Sequence, residues 1–209
     1  MNARERILLE ARLWKIQKEN LDKDYFKNLT NQRNASILWI ESFGNVAQPS
    51  EITNYEPDEI LVYRNPGGQC RVDDPAFMSV LESFAEASEA TYVVVCGHSH
   101  CQTIHDVVSA KERGTNASRW TEDIRDLCDQ YAMEMAPLSV RQRERKLSEL
   151  CIQRQLSNLA SNEVIQRAWS GGRNIHLLGW YLDLHKGEVQ EVHAVSALNL
   201  QKEVTAQHR

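Results

Sequence analysis

Apolar positions recur at two different periods along this chain, and the alternation between them predicts an α/β fold. Between Ala3 and Asn28, Leu9, Leu13 and Ile16 return at helical spacing, joined by Trp14, Tyr25 and Phe26 and separated by charges, which predicts a helical arm with an apolar stripe to cover. Short apolar runs follow. Ser36–Ile40 and Ile60–Arg64 predict buried strands, and the β-branched run Thr91–Cys96 predicts a third. Between the second and third, Phe77, Val80, Leu81 and Phe84 share one face of a helix over Asp74–Ala87, and strand, helix, strand implies a right-handed parallel crossover. Beyond Cys101 the period is helical over Thr121–Met135 and Ser139–Trp169, broken at Pro137 and around Ser157–Asn162, and ended by Gly171-Gly172. Ile175–Leu184 and Glu188–Val195 flank a His185-Lys186-Gly187 turn and predict a terminal hairpin. The expected fold is α/β, a mainly parallel central sheet of four or five strands flanked by helices, with an N-terminal helical arm over 1–35 leading into one domain over 36–209.

Composition narrows the class of partner. The 209 residues carry 24 Lys and Arg against 29 Asp and Glu, a net charge of −5, and no Lys/Arg run forms a face for nucleic acid. At this length a folded chain hides roughly 70% of the surface that its unfolded form exposes, so a core needs no disulfide. No apolar stretch approaches the about 20 residues of a membrane span. Arg4, Glu5, Arg6, Glu10 and Arg12 interrupt any secretory leader, and a cytoplasmic setting with reduced thiols is expected. Among the five cysteines (70, 96, 101, 128 and 151), only Cys96 and Cys101 are close in sequence. The charged run Arg141–Lys146 reads as the solvated face of a helix.

Open parallel sheets bind ligands at the carboxyl ends of their strands, which directs attention to Glu41–Pro49, Asn65–Asp74 and Gly97–Thr103. In Cys96-Gly-His-Ser-His-Cys101 an imidazole and a thiol stand three residues apart, at His98 and Cys101, a spacing suited to two ligands on one zinc ion. A polar turn with a buried cysteine would leave the same trace. Arg64-Asn-Pro-Gly-Gly68 lacks the Lys-Ser/Thr end of a phosphate loop and reads as a tight turn. Ser99 as a nucleophile has no designated acid to orient its histidine. Cys96 reads as an inert core thiol, His176 and His193 as sheet residues, and His105, Asp106 and His185 receive no special role.

The run Cys96–Cys101 resembles the Cys-Gly-His-Ser-x-Cys motif of the β-class carbonic anhydrases, and Ile37-Leu-Trp-Ile40, Leu61-Val-Tyr-Arg-Asn65 and Ile175-His-Leu-Leu-Gly-Trp-Tyr181 are similar to that family's strands. The resemblance extends from about Leu13 to Val195. It implies a site that converts carbon dioxide to bicarbonate on a zinc held by a Cys and an Asp after the first strand and by the His and Cys after the third. An Asp–Arg dyad attends that zinc. An ungapped count from Ile37 to Ile52 sets the Cys-x-Asp-x-Arg motif on Ser42-Phe43-Gly44-Asn45-Val46, so Ser42 replaces the cysteine and Gly44 and Val46 occupy the dyad positions. Gly97, Ser99, Gln102, Asn65 and Gly67 are expected around the pocket, with Gln102 narrowing its mouth. His98 and Cys101 then form half a site. Cys70, with Asp73 or Asp74, is an alternative thiolate, and His100 reads as ordinary variation.

Three readings follow from the resemblance: a structural or regulatory homologue without hydratase activity, a zinc hydratase with a rebuilt ligand set, or an enzyme for another small substrate. No cofactor is expected under the first, and zinc under the second. The family's arms wrap a neighbouring subunit, which implies a homodimer or a dimer of dimers through Leu9, Leu13, Trp14 and Ile16. An active relative or a carbon-handling assembly is the expected protein partner.

Overall fold

The computed structural model describes residues 1–30, 35–110 and 115–197. The chain divides into two compact units, Met1–Arg33 and Asn34–Arg209. In the first, α1 (Ala3–Leu21) opens with a capping box between Asn2 and Glu5. The single helix expected to run to Asn28 is two: Asp22 is extended, its Oδ1 accepts the Asp24 N–H at 2.9 Å, and α2 (Tyr25–Thr30) begins afresh. Trp14 then meets Tyr25 and Phe26 edge-on. None of the α1 side chains is buried among the described residues.

The second unit runs β1 (Ile37–Ser42), α3 (Pro49–Thr53), β2 (Ile60–Asn65), α4 (Pro75–Glu86), β3 (Tyr92–His98), α5 (Gln102–Val108), α6 (Thr115–Gln130), α7 (Ala132–Met135), α8 (Val140–Ser161), α9 (Glu163–Ser170), β4 (His176–Asp183) and β5 (Glu188–Val195). The sheet order is β2-β1-β3-β4-β5, parallel except for the β4–β5 hairpin. The break expected near 157–162 falls at Asn162, whose side chain accepts the Val164 N–H and caps α9.

Period-two alternation sorts each strand between two faces. Leu38, Ile40, Val93, Val95 and Leu177 join the core under α4, α8 and α9, whereas Trp39, Val94, Cys96 and Leu182 build a second cluster on the opposite face. The helix α8 lies close on the sheet because Gly179 leaves room: a Cβ there would stand 2.5 Å from Ile152 Cγ2 and 2.8 Å from Leu156 Cδ1. The connection from β1 runs out to β2 and returns past β1 to β3, so the carboxyl ends of β1 and β3 form a topological switch point. Strand β1 continues two residues beyond its expected end, because polar Glu41 and Ser42 still pair with Arg64 and Asn65 and remain buried.

Candidate functional site

At the switch point Glu41 lies opposite Cys96, so Ser42 stands level with the end of β3 where His98 and Cys101 follow. His98 is 2% exposed, and its Nδ1 lies 2.9 Å from the Ser99 carbonyl, which fixes Nδ1 as the protonated nitrogen of the neutral ring. That leaves the Nε2 lone pair free, and Nε2 has no hydrogen-bond partner among the described residues. Cys101 is buried at the N-cap position of α5. Burial disfavours the charged form of both groups. The attraction between the charged imidazole and thiolate forms, side by side, outweighs it, raising the imidazole above its ordinary value and lowering the thiol below its own. The Ser42 hydroxyl, which accepts the Gly67 N–H at 3.4 Å, adds to the lowering of the Cys101 thiol.

A narrow cleft of about 20 Å³, room for about one water, runs between Ser42, Gly67, His98, Cys101, Cys151 and Gln155. Gly97 reaches it by presenting no side chain to Ile152, 3.0 Å from where its Cβ would be. Gly44 faces open space and Val46 is 78% exposed. Among the described residues no group of three His, Cys, Asp or Glu is close enough to hold a metal. His98 and Cys101 fit two positions of a catalytic zinc, but the described residues do not complete the three protein ligands that such an ion requires.

Cys70 lies in the core cluster with Phe77 and Leu81, its thiol pushed up by burial, and not beside His98; packing on these α4 residues and the bond from its N–H to Gln155 Oε1 at 2.8 Å hold it inward. Asp73 pairs with Arg71 at 2.9 Å, while Asp74 caps α4 and accepts the Tyr63 hydroxyl. Gln102 does not close the mouth: its side chain folds back to Asp106 Oδ1 at 2.8 Å along α5. Asn65 braces its own turn, accepting the Gln69 N–H and donating to the Gln69 carbonyl, each at 2.7 Å. Ser99 ties two loops together, as its N–H donates to the Leu182 carbonyl and its hydroxyl accepts the Leu184 N–H, both at 2.9 Å. Arg141 and Arg145, expected on a solvated face, line a larger cavity of about 390 Å³ with His98, His100, Tyr181 and Asp183.

One group was not singled out from the primary structure. Glu41 is fully buried and accepts from Trp39 Nε1 (3.0 Å), Asn45 Nδ2 (2.6 Å) and Arg64 Nε (2.7 Å). A carboxylate inside an apolar strand run was the signal available for it.

The sequence pattern of the carbonic anhydrase family matches residues 46–189, which includes the Cys96–Cys101 run and begins after Ser42 and Gly44. A carbonic anhydrase of Emericella nidulans is 22% identical over 189 residues, 90% of this chain and 82% of that protein. One from Pseudomonas aeruginosa is 27% identical over 181 residues, 82% of this chain and 79% of that protein. The fold superposes with a TM-score of 0.85 on one of two tetrameric β-carbonic anhydrases of Sordaria macrospora, at 21% identity, covering 93% of this chain and 100% of the other. With the strand-end Cys-Gly-His-Ser-x-Cys run, the switch-point sheet and the family match in agreement, the chain belongs to the carbonic anhydrase family, in its β-class.

Proposed function

We propose that this β-class family member has lost carbon dioxide hydration and acts as a structural or regulatory homologue. One observation carries the reading: among the described residues only His98 and Cys101 meet at the strand ends as metal-ligand types, while Ser42 offers a neutral hydroxyl and Gly44 and Val46 offer nothing a zinc or its water can use. Glu41, which precedes that turn, is engaged with Arg64. Association through the exposed α1 residues Leu9, Leu13, Trp14 and Ile16, as a homodimer or dimer of dimers, agrees with the tetrameric Sordaria macrospora relative. A cytoplasmic setting suits its five free cysteines.

The test is metal analysis of the purified, untagged chain together with a carbon dioxide hydration assay. Far less than one zinc per chain at the His98–Cys101 pair and no hydration above buffer are expected. The triple variant Ser42→Cys, Gly44→Asp, Val46→Arg is expected to gain zinc. About one zinc per chain that disappears in Cys101→Ser together with measurable hydration would overturn the proposal. It would favour the second reading, a rebuilt zinc site, which rests on the unpartnered Nε2 of His98.

A further inference from the structure

His100 adjoins Cys101 in the chain, but its ring meets His185, and the sequence marked neither residue as functional. Their Nε2 atoms lie 3.1 Å apart and their rings meet edge to face, with centroids at 4.5 Å. We propose that the two imidazoles form a binding site for a divalent first-row transition ion on the rim of the larger cavity. With nitrogen–metal bonds of about 2.0–2.1 Å, nitrogens this far apart subtend roughly 100° at a shared ion, between the square-planar and tetrahedral angles. Two imidazoles favour zinc, nickel or copper over magnesium or calcium, and water completes the shell because both residues are exposed. Both rings bind through Nε2 as neutral imidazoles, so the ring whose Nε2 donates to the other carries its proton on Nδ1 once the ion is bound.

The pair is held in place by the backbone on both sides. His100 has φ 63°, a left-handed conformation that a non-glycine residue adopts at a cost and keeps only where its surroundings impose it. Ser99 imposes it here, through the bonds to Leu182 and Leu184 that lock the loop carrying His100 onto the hairpin carrying His185. The hairpin turn is fixed in its own right: Asp183 Oδ1 accepts the His185 N–H at 3.0 Å and its carbonyl accepts the Gly187 N–H at 2.8 Å. Ligands fixed this way lose little freedom on binding an ion, the usual requirement for a metal site.

The site does not depend on the hydratase reading, and its test separates the two. Full-length untagged protein is titrated with Ni²⁺, followed by calorimetry and by the thermal unfolding midpoint. The parent chain and Cys101→Ser are both expected to bind Ni²⁺ and to be stabilised by it. In His185→Ala and in His100→Gly, where glycine accepts φ 63°, affinity is expected to fall by at least about tenfold and the stabilisation to vanish. The midpoint without Ni²⁺ shows that each variant is folded. Unchanged affinity in both histidine variants, absence of binding in the parent, or loss of binding in Cys101→Ser would each overturn the proposal.

Discussion

At the scale of the residue, a carboxylate with no exposed side-chain surface is stable only when its charge is matched, and Glu41 is matched three times, by Arg64, Asn45 and Trp39. Asn45 belongs to the turn after β1, so this network holds that turn without a metal ligand from it. Glu41→Ala is therefore expected to destabilise the protein by about 2 kcal/mol, measured as a shift of the urea midpoint, and to make the 43–48 turn accessible to protease. That is below the cost of breaking a fully buried pair, because Arg64 is 33% exposed and regains water. A variant as stable as the parent would show that the network contributes nothing net. The primary structure displayed the chemistry of His98 and Cys101, whose spacing is local. It concealed Glu41, whose partners Trp39, Asn45 and Arg64 come from two strands and a turn.

At the scale of the element, the approach of α8 to the sheet depends on a missing side chain. A methyl at Gly179 would stand inside the contact distance of Ile152 and Leu156, both nearly or fully buried, so neither can swing away. Gly179→Ala is expected to cost about 1–3 kcal/mol, read as a lower denaturation midpoint with unchanged slope, and an unchanged midpoint would mean that α8 can shift outward freely. Elements themselves were largely legible: the β-branched run ending at Gly97 became β3, and the apolar face of Phe77, Leu81 and Phe84 became α4. Their ends were less so. Strand β1 extends to Ser42 and the arm breaks at Asp22, because ladder pairing with β2 and a side-chain turn decide those positions and hydrophobic periodicity registers neither.

At the scale of the whole molecule, three thiols distributed through the core tie stability to pH. Burial raises Cys70 and Cys96 well above their ordinary value near 9, and Cys151 to about 12. The folded chain keeps these protons while the unfolded chain releases them, so their contribution is complete below pH 9 and is lost as pH rises through the folded values. With all three titrating, stability is expected to fall by up to about 4 kcal/mol per pH unit in that window, and Cys70→Ala to reduce the slope by about one proton. Urea midpoints measured between about pH 8 and 11 check this. A flat profile would contradict the burial of these groups. Cys101 works in the opposite sense, since its lowered thiol contributes stability above its ordinary value and loses it as pH falls.

The sequence by itself determined the sheet, its parallel character, the helices around it and the pair His98–Cys101, because each is written in local periodicity or in a short spacing. Only the tertiary structure decided which other residues stand beside that pair. It sent Cys70 into the core and Gln102 back along its helix, and gave Glu41 its partners. It also brought His100 within 3.1 Å of His185, 85 positions away. Such contacts are made by strand order and by loops returning from opposite ends of the sheet, and no period along the chain encodes them.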